Sequence, residues 1–498
     1  MNNIINNNMN NMINNNINSM MNNMMNNNMN NMMNNNINNI MNNNMNFNIM
    51  NNINNNMMKN NNLNLNNNMN NFNNNMNINF NNINMMNNFN NKNLINNHDI
   101  KINNNINNQN NNKRGGKNKQ PKPPKPLNFY QKPTLIGLQN IGSTCFMNAT
   151  LQCLSQTADL TNYFLDEKHS SNKIKNNNIA LKNPNNLQLS PIYLELVEKL
   201  WDKNNYKGYF EPRRFMKTIE EMNPTFKLGE AGDSKDFIIF LLEQFHNELK
   251  KEDNNQSVDD NVNQYDKRSI FESFLKDFSK QTSIISDIFY GIQETTNVCL
   301  NCKNKYTMQN KAYPICYNYQ IFNCLVFPLE EVRKMKNENN MRNNIIMGQN
   351  NIVTLDECFY YNQKTELFTG NNRSHCNICG QLADAHYTSR IYSCPNVLVL
   401  ILNRGKNNIY DVKLNFTETI DITQFVSVKA GREIFKLYGV ITHYGESGPS
   451  AHFLAFCKSP IDNKWYRYND AVVTDVKNLQ TDVIDFGNPY ILFYKKEN

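Results

Sequence analysis

Apolar residues recur at helical spacing in four stretches of the chain between residues 145 and 250. In the first stretch Met147, Leu151 and Leu154 are separated by steps of four and three, which places them on one face of a helix. The second stretch opens at Ser190 and Pro191, a pair typical of a helix start. The pattern therefore predicts helices over residues 145–154, 191–201, 215–222 and 234–249.

Unbroken apolar runs later in the chain predict strands. Residues 395–402 read Pro-Asn-Val-Leu-Val-Leu-Ile-Leu, which has the length and the branched side chains of a buried strand. Residues 438–445 predict a second strand that ends in a turn. Two polar or Asn-rich stretches, 251–267 and 335–352, interrupt the apolar pattern and predict surface loops outside the core.

The N-terminal quarter of the chain has no such periodicity. Residues 1–112 are mostly Asn with Met and Ile, and the first hundred carry only Lys59, Lys92 and Asp99 as charged residues. This segment cannot bury enough apolar surface to offset its chain entropy, so we expect it to be disordered. Biased composition without a function is one interpretation of the tract, and self-association through amide ladders is the other.

A basic, Pro-rich segment at residues 113–132 predicts an extended linker. It is interpreted as a solvated spacer, with RNA binding or a nuclear address as the alternatives. The net charge of the whole chain is only +8, so nucleic acid is not expected as a partner. No apolar run reaches the roughly 18 residues that a membrane span needs, and there is no signal-peptide pattern.

Residues 133–498 have the composition of a folded domain, long enough to hold a large core with insertions. All eleven cysteines lie in this part of the chain. Because nothing indicates secretion, we expect a reducing compartment, the cytoplasm or the nucleus. The cysteines should then be thiols or metal ligands and not disulfides.

Cys145 is the first candidate for chemistry. It follows the turn-rich residues 140–144 and stands at the start of a predicted helix. There the helix dipole and the unpaired N–H groups would favour a thiolate, the nucleophilic form of cysteine. Asn140 carries an amide that could donate to an oxyanion. The alternative is a small buried core cysteine, the commoner role of a free thiol.

His452 and Asn469 form the second candidate site. A thiolate nucleophile needs a base, and the base needs an acceptor that fixes its tautomer. His452 and Asn469 lie 17 residues apart in an apolar, strand-like region, so two adjacent strands could bring them together. A lone histidine in a strand is more often structural, which is the alternative.

Cys299, Cys302, Cys376 and Cys379 form two Cys-x-x-Cys pairs. Four thiolates are the closed tetrahedral set that structural Zn²⁺ prefers. The pairs are 74 residues apart (376 − 302), so two hairpins would have to meet in space. Redox-active or incidental cysteine pairs are the alternative.

The segment Gly137–Asn148, Gly-Leu-Gln-Asn-Ile-Gly-Ser-Thr-Cys-Phe-Met-Asn, resembles the cysteine box of the ubiquitin-specific proteases. The block from Ala451 through Trp465 to Tyr468-Asn-Asp470 resembles the histidine box of that family. The resemblance spans about residues 135–497. It implies a role for each matched residue. Cys145 would be the nucleophile, and Asn140 would donate to the oxyanion. His452 would be the base that activates the cysteine, Asn469 would orient the histidine, and Asp470 would assist.

The resemblance also implies the fold and the partners. The fold would be α+β and papain-like, with a helical thumb that carries Cys145, a β-rich palm that carries His452 and zinc-tipped fingers. Residues 286–292 alternate like the strand that enters the fingers. Asp233 and Asp236, with Asp236 in place of the usual Glu, would bind the basic tail of ubiquitin. Complementing a helix N-terminus is their simpler interpretation.

The activity that the resemblance implies is hydrolysis after the C-terminal Gly of ubiquitin, on ubiquitin and ubiquitinated proteins. Three residues depart from the family pattern: Gly405 replaces an aromatic, Ala451 replaces Gly and Phe453 replaces Tyr. His443 matches a position near the site but is not interpreted as the base. Because of these departures, a ubiquitin-binding pseudoprotease is an alternative function. The Asn-rich tract and its basic linker suggest a third function, that of an RNA-associated assembly protein.

Overall fold

A computed structural model describes residues 132–166, 187–202, 204–205, 207–250, 266–280, 282–343, 351–404, 412–428, 431–444 and 452–497. The predicted disordered tract 1–112 and the linker 113–132, except for residue 132, lie outside the described residues. So do Gly405, Ala451 and most of the loop predicted at 251–267.

Ten helices occur in these ranges, and all four predicted helices are among them. The helices are α1 (Cys145–Ser155), α2 (Ala158–Leu165), α3 (Ser190–Leu200), α4 (Arg213–Met222), α5 (Ser234–Leu249), α6 (Lys267–Phe278), α7 (Ile284–Phe289), α8 (Leu300–Met308), α9 (Leu329–Arg342) and α10 (Leu355–Asn362). None of the helices in the described part of the chain is long and apolar enough to cross a membrane.

The same ranges contain eighteen strands. They are β1 (Leu135–Leu138), β2 (Lys207–Phe210), β3 (Gly291–Cys299), β4 (Cys316–Phe322), β5 (Leu325–Pro328), β6 (Ile352–Thr354), β7 (Thr365–Phe368), β8 (Ser374–Cys376), β9 (Gln381–Ala383), β10 (Ala385–Ser393), β11 (Val397–Asn403), β12 (Lys413–Asn415), β13 (Thr419–Asp421), β14 (Ile434–Tyr444), β15 (His452–Lys458), β16 (Trp465–Asn469), β17 (Val472–Asp475) and β18 (Asn488–Lys496). The two strands predicted from residues 395–402 and 438–445 correspond to β11 and β14.

An eight-stranded sheet forms the centre of the fold. Its order is β17-β16-β15-β14-β18-β11-β5, with β13 paired to β14. Along β11, Val399 and Ile401 pack into one apolar cluster with the helices α1 to α5, whereas Leu398 and Leu400 pack into a second cluster on the opposite face. Because neighbouring side chains of a strand point to opposite faces, β11 is buried on both sides and reads as a continuous apolar run.

Helix α1 is anchored on two sides. It packs against β15, where Cys153 Sγ of the helix lies 3.6 Å from Cys457 Sγ of the strand. On its other side Gln152 Nε2 donates to the carbonyl of Ile136 in β1 over 2.9 Å. Both contacts are buried and lie in the second half of α1, so they fix the position of the helix relative to β1 and β15.

A second sheet has four antiparallel strands in the order β4-β3-β10-β7. At one end of this sheet β3 leads into Cys299, and the β8–β9 hairpin carries Cys376. We call α1 to α5 the thumb, the eight-stranded sheet the palm and the four-stranded sheet with the β8–β9 hairpin the fingers. The α+β architecture that the resemblance implied, with these three parts, is confirmed.

The strand expected at residues 286–292 is wrong for most of its length. Residues 284–289 form α7, because Ser283 and Ser286 make a reciprocal capping box: the Ser283 hydroxyl accepts from the Ser286 N–H at 3.2 Å, and the Ser286 hydroxyl accepts from the Ser283 N–H at 2.9 Å. The strand begins only at Gly291. A pattern of alternating polarity over seven residues does not reveal this local cap.

The surface loop expected at residues 335–352 is wrong over its first half. Helix α9 runs through to Arg342, because Leu329 and Val332 are buried and hold its first turn on the core. The Arg333–Glu330 ion pair at 2.7 Å adds a contact at helical spacing. Residues 344–350 lie outside the described ranges, and β6 then starts at Ile352.

Candidate active site

Cys145 is the first residue of α1, with Thr144 as the N-cap. The preceding turn needs unusual backbone angles, since Gly142 has φ +134° and Ser143 has φ +54°. This turn lets the chain reverse from β1 into the helix within a few residues. The thiol is only 8% exposed and stands where the N–H groups of the first helical turn point outward.

Asn140 holds this turn together. Its Oδ1 accepts from the N–H of Gly142 at 3.2 Å and from the N–H of Thr144 at 3.1 Å. Its Nδ2 donates to Asp470 Oδ2 at 3.1 Å. The Asn140 side chain is therefore fixed at both ends, and the second hydrogen of its amide is left for another acceptor.

His452 lies at the start of β15 and Asn469 at the end of β16, the neighbouring antiparallel strand. His452 Nε2 and Asn469 Oδ1 are 2.7 Å apart, so the imidazole N–H donates to the amide oxygen. This bond leaves Nδ1 of the imidazole for the thiol of Cys145. The sequence predicted that two adjacent strands could bring His452 and Asn469 together, and the structure has them in contact.

The hydrogen bond with the Cys145 side chain is the largest influence on His452 and raises its pKa to about 9. Partial burial lowers the pKa, whereas the Asn469 hydrogen bond and the charges of Cys145 and Asp470 raise it. The imidazole therefore keeps its proton through neutral pH. A protonated imidazole in contact with a thiol places a proton donor beside a sulfur atom.

Asp470 lies between the two halves of the site. Its Oδ1 accepts from Asn148 Nδ2 at 2.8 Å, and its Oδ2 accepts from Asn140. The same Oδ2 is 3.8 Å from His452 Nε2, an electrostatic contact and not a hydrogen bond. Asp470 has φ +49°, an unusual conformation for a residue other than glycine.

Asn148 is the residue of this arrangement that the sequence analysis missed. It lies in the interior of α1 and is 2% exposed. Asparagine is a poor helix former, and its amide is costly to bury. A helix-interior Asn three residues after Cys145 was a usable signal for a buried polar contact.

Asp233 is the N-cap of α5, which agrees with its interpretation as a residue that complements a helix N-terminus. Its Oδ1 accepts from the Lys235 N–H at 2.9 Å, and its Oδ2 accepts from the Tyr490 hydroxyl at 2.7 Å and lies 3.3 Å from Lys235 Nζ. Asp236 lies in the first helical turn, where burial and then the nearby Asp233 raise its pKa. The helix-capping interpretation therefore describes contacts that Asp233 makes within the chain.

His443 lies behind the site in β14 and is buried. Its ring packs edge-on against Phe453 and also near Tyr490, with centroids 4.9 and 6.2 Å away. Burial lowers its pKa below the usual value of histidine. A packed imidazole with a lowered pKa suits a wall of the site, and these contacts assign His443 no role as the base.

The four cysteines of the two Cys-x-x-Cys pairs meet at the end of the fingers. Their sulfur atoms all lie within 4.8 Å of one another. Cys299 Sγ is 3.9 Å from Cys379 Sγ, and Cys302 Sγ is 3.7 Å from Cys376 Sγ. Zinc–sulfur bonds of about 2.3 Å in a tetrahedron place sulfur atoms about 3.8 Å apart. The cluster therefore fits a tetrahedral zinc ion, and its thiols are free of disulfides.

The two pairs are presented by different elements. Cys376 ends β8, and the following turn uses Gly380 with φ +67° to form the hairpin to β9. Cys299 instead ends β3 and Cys302 lies in the first turn of α8, so this second knuckle is a strand-to-helix turn. Two hairpins were expected. Only the Cys376–Cys379 pair lies in a hairpin, because the chain after Cys299 continues into a helix.

Comparisons with known proteins agree on one family. The family model described as UCH, ubiquitin carboxyl-terminal hydrolase, matches residues 136–494. Ubiquitin carboxyl-terminal hydrolase 2 of Bos taurus is 26% identical over 378 residues, covering 72% of this chain and 55% of that protein. Ubiquitin carboxyl-terminal hydrolase 25 of Arabidopsis thaliana is 26% identical over 375 residues, covering 73% and 47%. The chain thus spans about half the length of these relatives.

Solved structures of similar chains include two from the SAGA DUB module. A yeast SAGA DUB module with an Sgf73 variant aligns with a TM-score of 0.49 and 21% identity, covering 73% of this chain and 69% of that one. The Ubp8/Sgf11/Sus1/Sgf73 module bound to ubiquitin aldehyde aligns with a TM-score of 0.48 and 22% identity, covering 73% and 70%.

Proposed function

The chain belongs to the ubiquitin carboxyl-terminal hydrolase family, and from this premise we propose that it is a cysteine deubiquitinase that hydrolyses the isopeptide or peptide bond after the C-terminal Gly of ubiquitin. One observation carries the proposal: the Cys145 thiol stands at a helix start against an imidazole that is oriented by Asn469 and has a pKa near 9. A buried structural cysteine would not require a histidine partner that is itself fixed by an amide.

In the acylation step the Cys145 thiolate attacks the carbonyl carbon of the terminal Gly. The free hydrogen of the Asn140 amide and the N–H groups at the start of α1 stabilise the oxyanion. Loss of one such donor typically lowers kcat by about 10²- to 10³-fold. The His452 imidazolium gives its proton to the departing lysine amine, and a thioester between ubiquitin and Cys145 remains.

In the deacylation step the now neutral imidazole takes a proton from a water molecule as that water attacks the thioester. The thiolate leaves with its electron pair, and the imidazolium forms again beside it. The Asn469 oxygen accepts the Nε2–H in both steps and keeps Nδ1 directed at the reacting atoms.

The proposed partners are ubiquitin and ubiquitinated proteins. Asp233 and Asp236 would interact with the basic tail of ubiquitin in addition to capping α5, since both carboxylates lie at the same helix start. The four finger cysteines would hold one structural Zn²⁺, which leaves no coordination position for water and supplies no chemistry to the reaction. Eleven free thiols support the cytoplasm or the nucleus as the proposed location.

Ubiquitin with a C-terminal electrophile should form a covalent adduct with the full-length protein, because such a probe places an electrophilic carbon where the scissile carbonyl would lie. We expect one ubiquitin per chain by intact-mass analysis, with the modified peptide containing Cys145. The Cys145→Ala variant should not be labelled, whereas Cys316→Ala, which removes a partly exposed finger thiol, should be labelled as wild type.

Labelling of Cys145 without turnover of ubiquitin carrying a C-terminal fluorophore would favour the pseudoprotease alternative. No labelling of a folded wild type, together with no binding of ubiquitin in a pull-down, would contradict the proposed substrate and point to another modifier.

The rate should fall as pH rises through about 9, because the His452 pKa is raised to about 9 and the imidazolium must be protonated to release the amine. The Asn469→Ala variant removes a hydrogen bond that raises this pKa, so its basic limb should lie at lower pH. The measurement is kcat/KM against pH between about 6 and 10.5 with ubiquitin carrying a fluorogenic amine.

Thr474→Ala is the control for this shift, since Thr474 is an exposed residue on the adjacent strand β17. It should leave the basic limb in place. An Asn469→Ala profile that is lower at all pH values but has the same limb would contradict the assignment of the limb to His452.

A further inference from the structure

Asn148 uses its amide to join three parts of the site. Its Nδ2 donates to the carbonyl of Leu138 in β1 at 3.1 Å and to Asp470 Oδ1 at 2.8 Å, which accounts for both amide hydrogens. Its Oδ1 is buried and accepts no hydrogen bond from any residue of the described ranges. An unpaired buried acceptor is unfavourable, so it gives the amide no orientation of its own. The orientation of the amide is therefore set by its two donated bonds.

Asp470 needs such a partner to stay in place. Its left-handed backbone angle is strained for a residue with a side chain. The Asp470 carbonyl accepts from the Leu138 N–H at 2.9 Å, so its main chain is tied to the same strand end as the Asn148 side chain. The carboxylate is then held at Oδ1 by Asn148, and Oδ2 is turned towards Asn140.

Asn140 is the residue that the Asp470 carboxylate holds in turn. Its Oδ1 is fixed by the turn before Cys145, and one Nδ2 hydrogen is fixed by Asp470. The remaining hydrogen then has a single direction. If Asp470 rotated away, the Asn140 amide would lose the contact that fixes its plane, and the donor would be disordered at the moment when charge develops.

We propose that Asn148 is a positioning residue which, through the Asp470 carboxylate, fixes the Asn140 amide as an oxyanion donor. The inference rests on the proposed deubiquitinase function and deepens it. Asn148 makes no hydrogen bond to the thiol or the imidazole among the described residues, so it acts through the two groups that it holds, the Asp470 carboxylate and the Leu138 carbonyl. Loss of Asn148 therefore weakens transition-state stabilisation and leaves substrate binding intact.

Gln152 provides a matched comparison one turn further along α1. It is buried to the same 2% exposure and donates to the carbonyl of Ile136 in β1, as Asn148 donates to that of Leu138. Among the described residues Gln152 makes no hydrogen bond to Asp470. A purely structural role, the joining of α1 to β1, is shared by the two amides, whereas the bond to the carboxylate belongs to Asn148.

The experiment measures kcat and KM of the full-length protein with ubiquitin carrying a C-terminal fluorophore, for wild type, Asn148→Ala, Gln152→Ala, Asn140→Ala and the Asn148→Ala/Asn140→Ala double variant. We expect Asn148→Ala to lower kcat by about 10- to 100-fold, less than the full loss of a donor, with KM within about threefold. Gln152→Ala should keep kcat within about twofold. In the Asn140→Ala background, Asn148→Ala should cost less than about threefold, because the donor it positions is already gone.

Thermal melting of each variant accompanies the kinetics, and Asn148→Ser replaces Asn148→Ala if the alanine variant does not fold. Equal losses of kcat in Asn148→Ala and Gln152→Ala, or full additivity with Asn140→Ala, would overturn the inference while the proposed function stands. An inactive, folded wild type would overturn the proposed function and this inference with it.

Discussion

Replacement of Cys145 by alanine should abolish turnover of ubiquitin with a C-terminal leaving group and lower the single-turnover rate by about 10⁵-fold or more. The reason is that no other group at the site can form the acyl intermediate, and loss of the nucleophile in a comparable protease triad costs roughly 10⁶-fold. The measurement is the single-turnover rate with excess enzyme. Binding of ubiquitin, followed by calorimetry, should be retained because the helix start keeps its backbone.

His452→Ala should cause a loss of similar size, because in the proposed mechanism the imidazole gives its proton to the departing amine and then takes one from water. The two residues act as one unit, so the Cys145→Ala/His452→Ala double variant should be no slower than Cys145→Ala alone. A double variant with a further loss of 100-fold or more would mean that His452 contributes by a route that does not involve the thiol.

Cys153→Ala is the matched control, since it removes a thiol from the same helix two turns further on. Cys153 is fully buried, and its sulfur contacts Cys457 of β15. We expect kcat within about threefold of wild type and a modest fall in melting temperature from the small cavity. Equal inactivation by Cys153→Ala and Cys145→Ala would indicate a damaged helix and not a lost nucleophile.

The sequence predicted the regular elements where one local pattern dominated. The helix from Cys145 and the strand at residues 397–403 were found because their apolar spacing is long and unambiguous. It failed at residues 286–289 and 335–342. There a serine capping box and two buried residues at the start of α9 overrode the polarity of the stretch. In segments of fewer than ten residues, caps and buried side chains of this kind decide the secondary structure more strongly than the composition of the segment does.

The site divides in the same way. Cys145, His452 and Asn469 could be proposed from residue type and from resemblance, but the contact of His452 with Asn469 depends on the pairing of β15 with β16. The link from Asn148 to Asp470 joins residues 322 positions apart. No local pattern encodes that separation, and only the docking of α1 beside the β16–β17 turn creates it.

Loss of the cysteine cluster should destabilise the fingers strongly. The Cys376→Ser variant should contain less than about 0.2 zinc per chain, against one zinc per chain in wild type. Joining residues 302 and 376 closes a loop of 74 residues (376 − 302), and a cross-link of that length stabilises a fold by about 4 kcal/mol through the entropy of the unfolded chain. For a domain of this size that corresponds to a fall in melting temperature of roughly 5 °C. Metal analysis and thermal melting measure the two effects.

Cys316→Ser tests whether the effect belongs to the four clustered thiols. Cys316 lies in the fingers on β4, opposite Asn297 of β3, but its sulfur is not one of the four. This variant should retain one zinc and the wild-type melting temperature. Limited proteolysis should cut Cys376→Ser between residues 299 and 316 or between 369 and 384, because the two knuckles separate without the ion. The metal-free wild-type protein is the opposing case. If it had the same melting temperature as the purified wild type and its two Cys-x-x-Cys turns resisted proteolysis, packing alone would hold the cluster together.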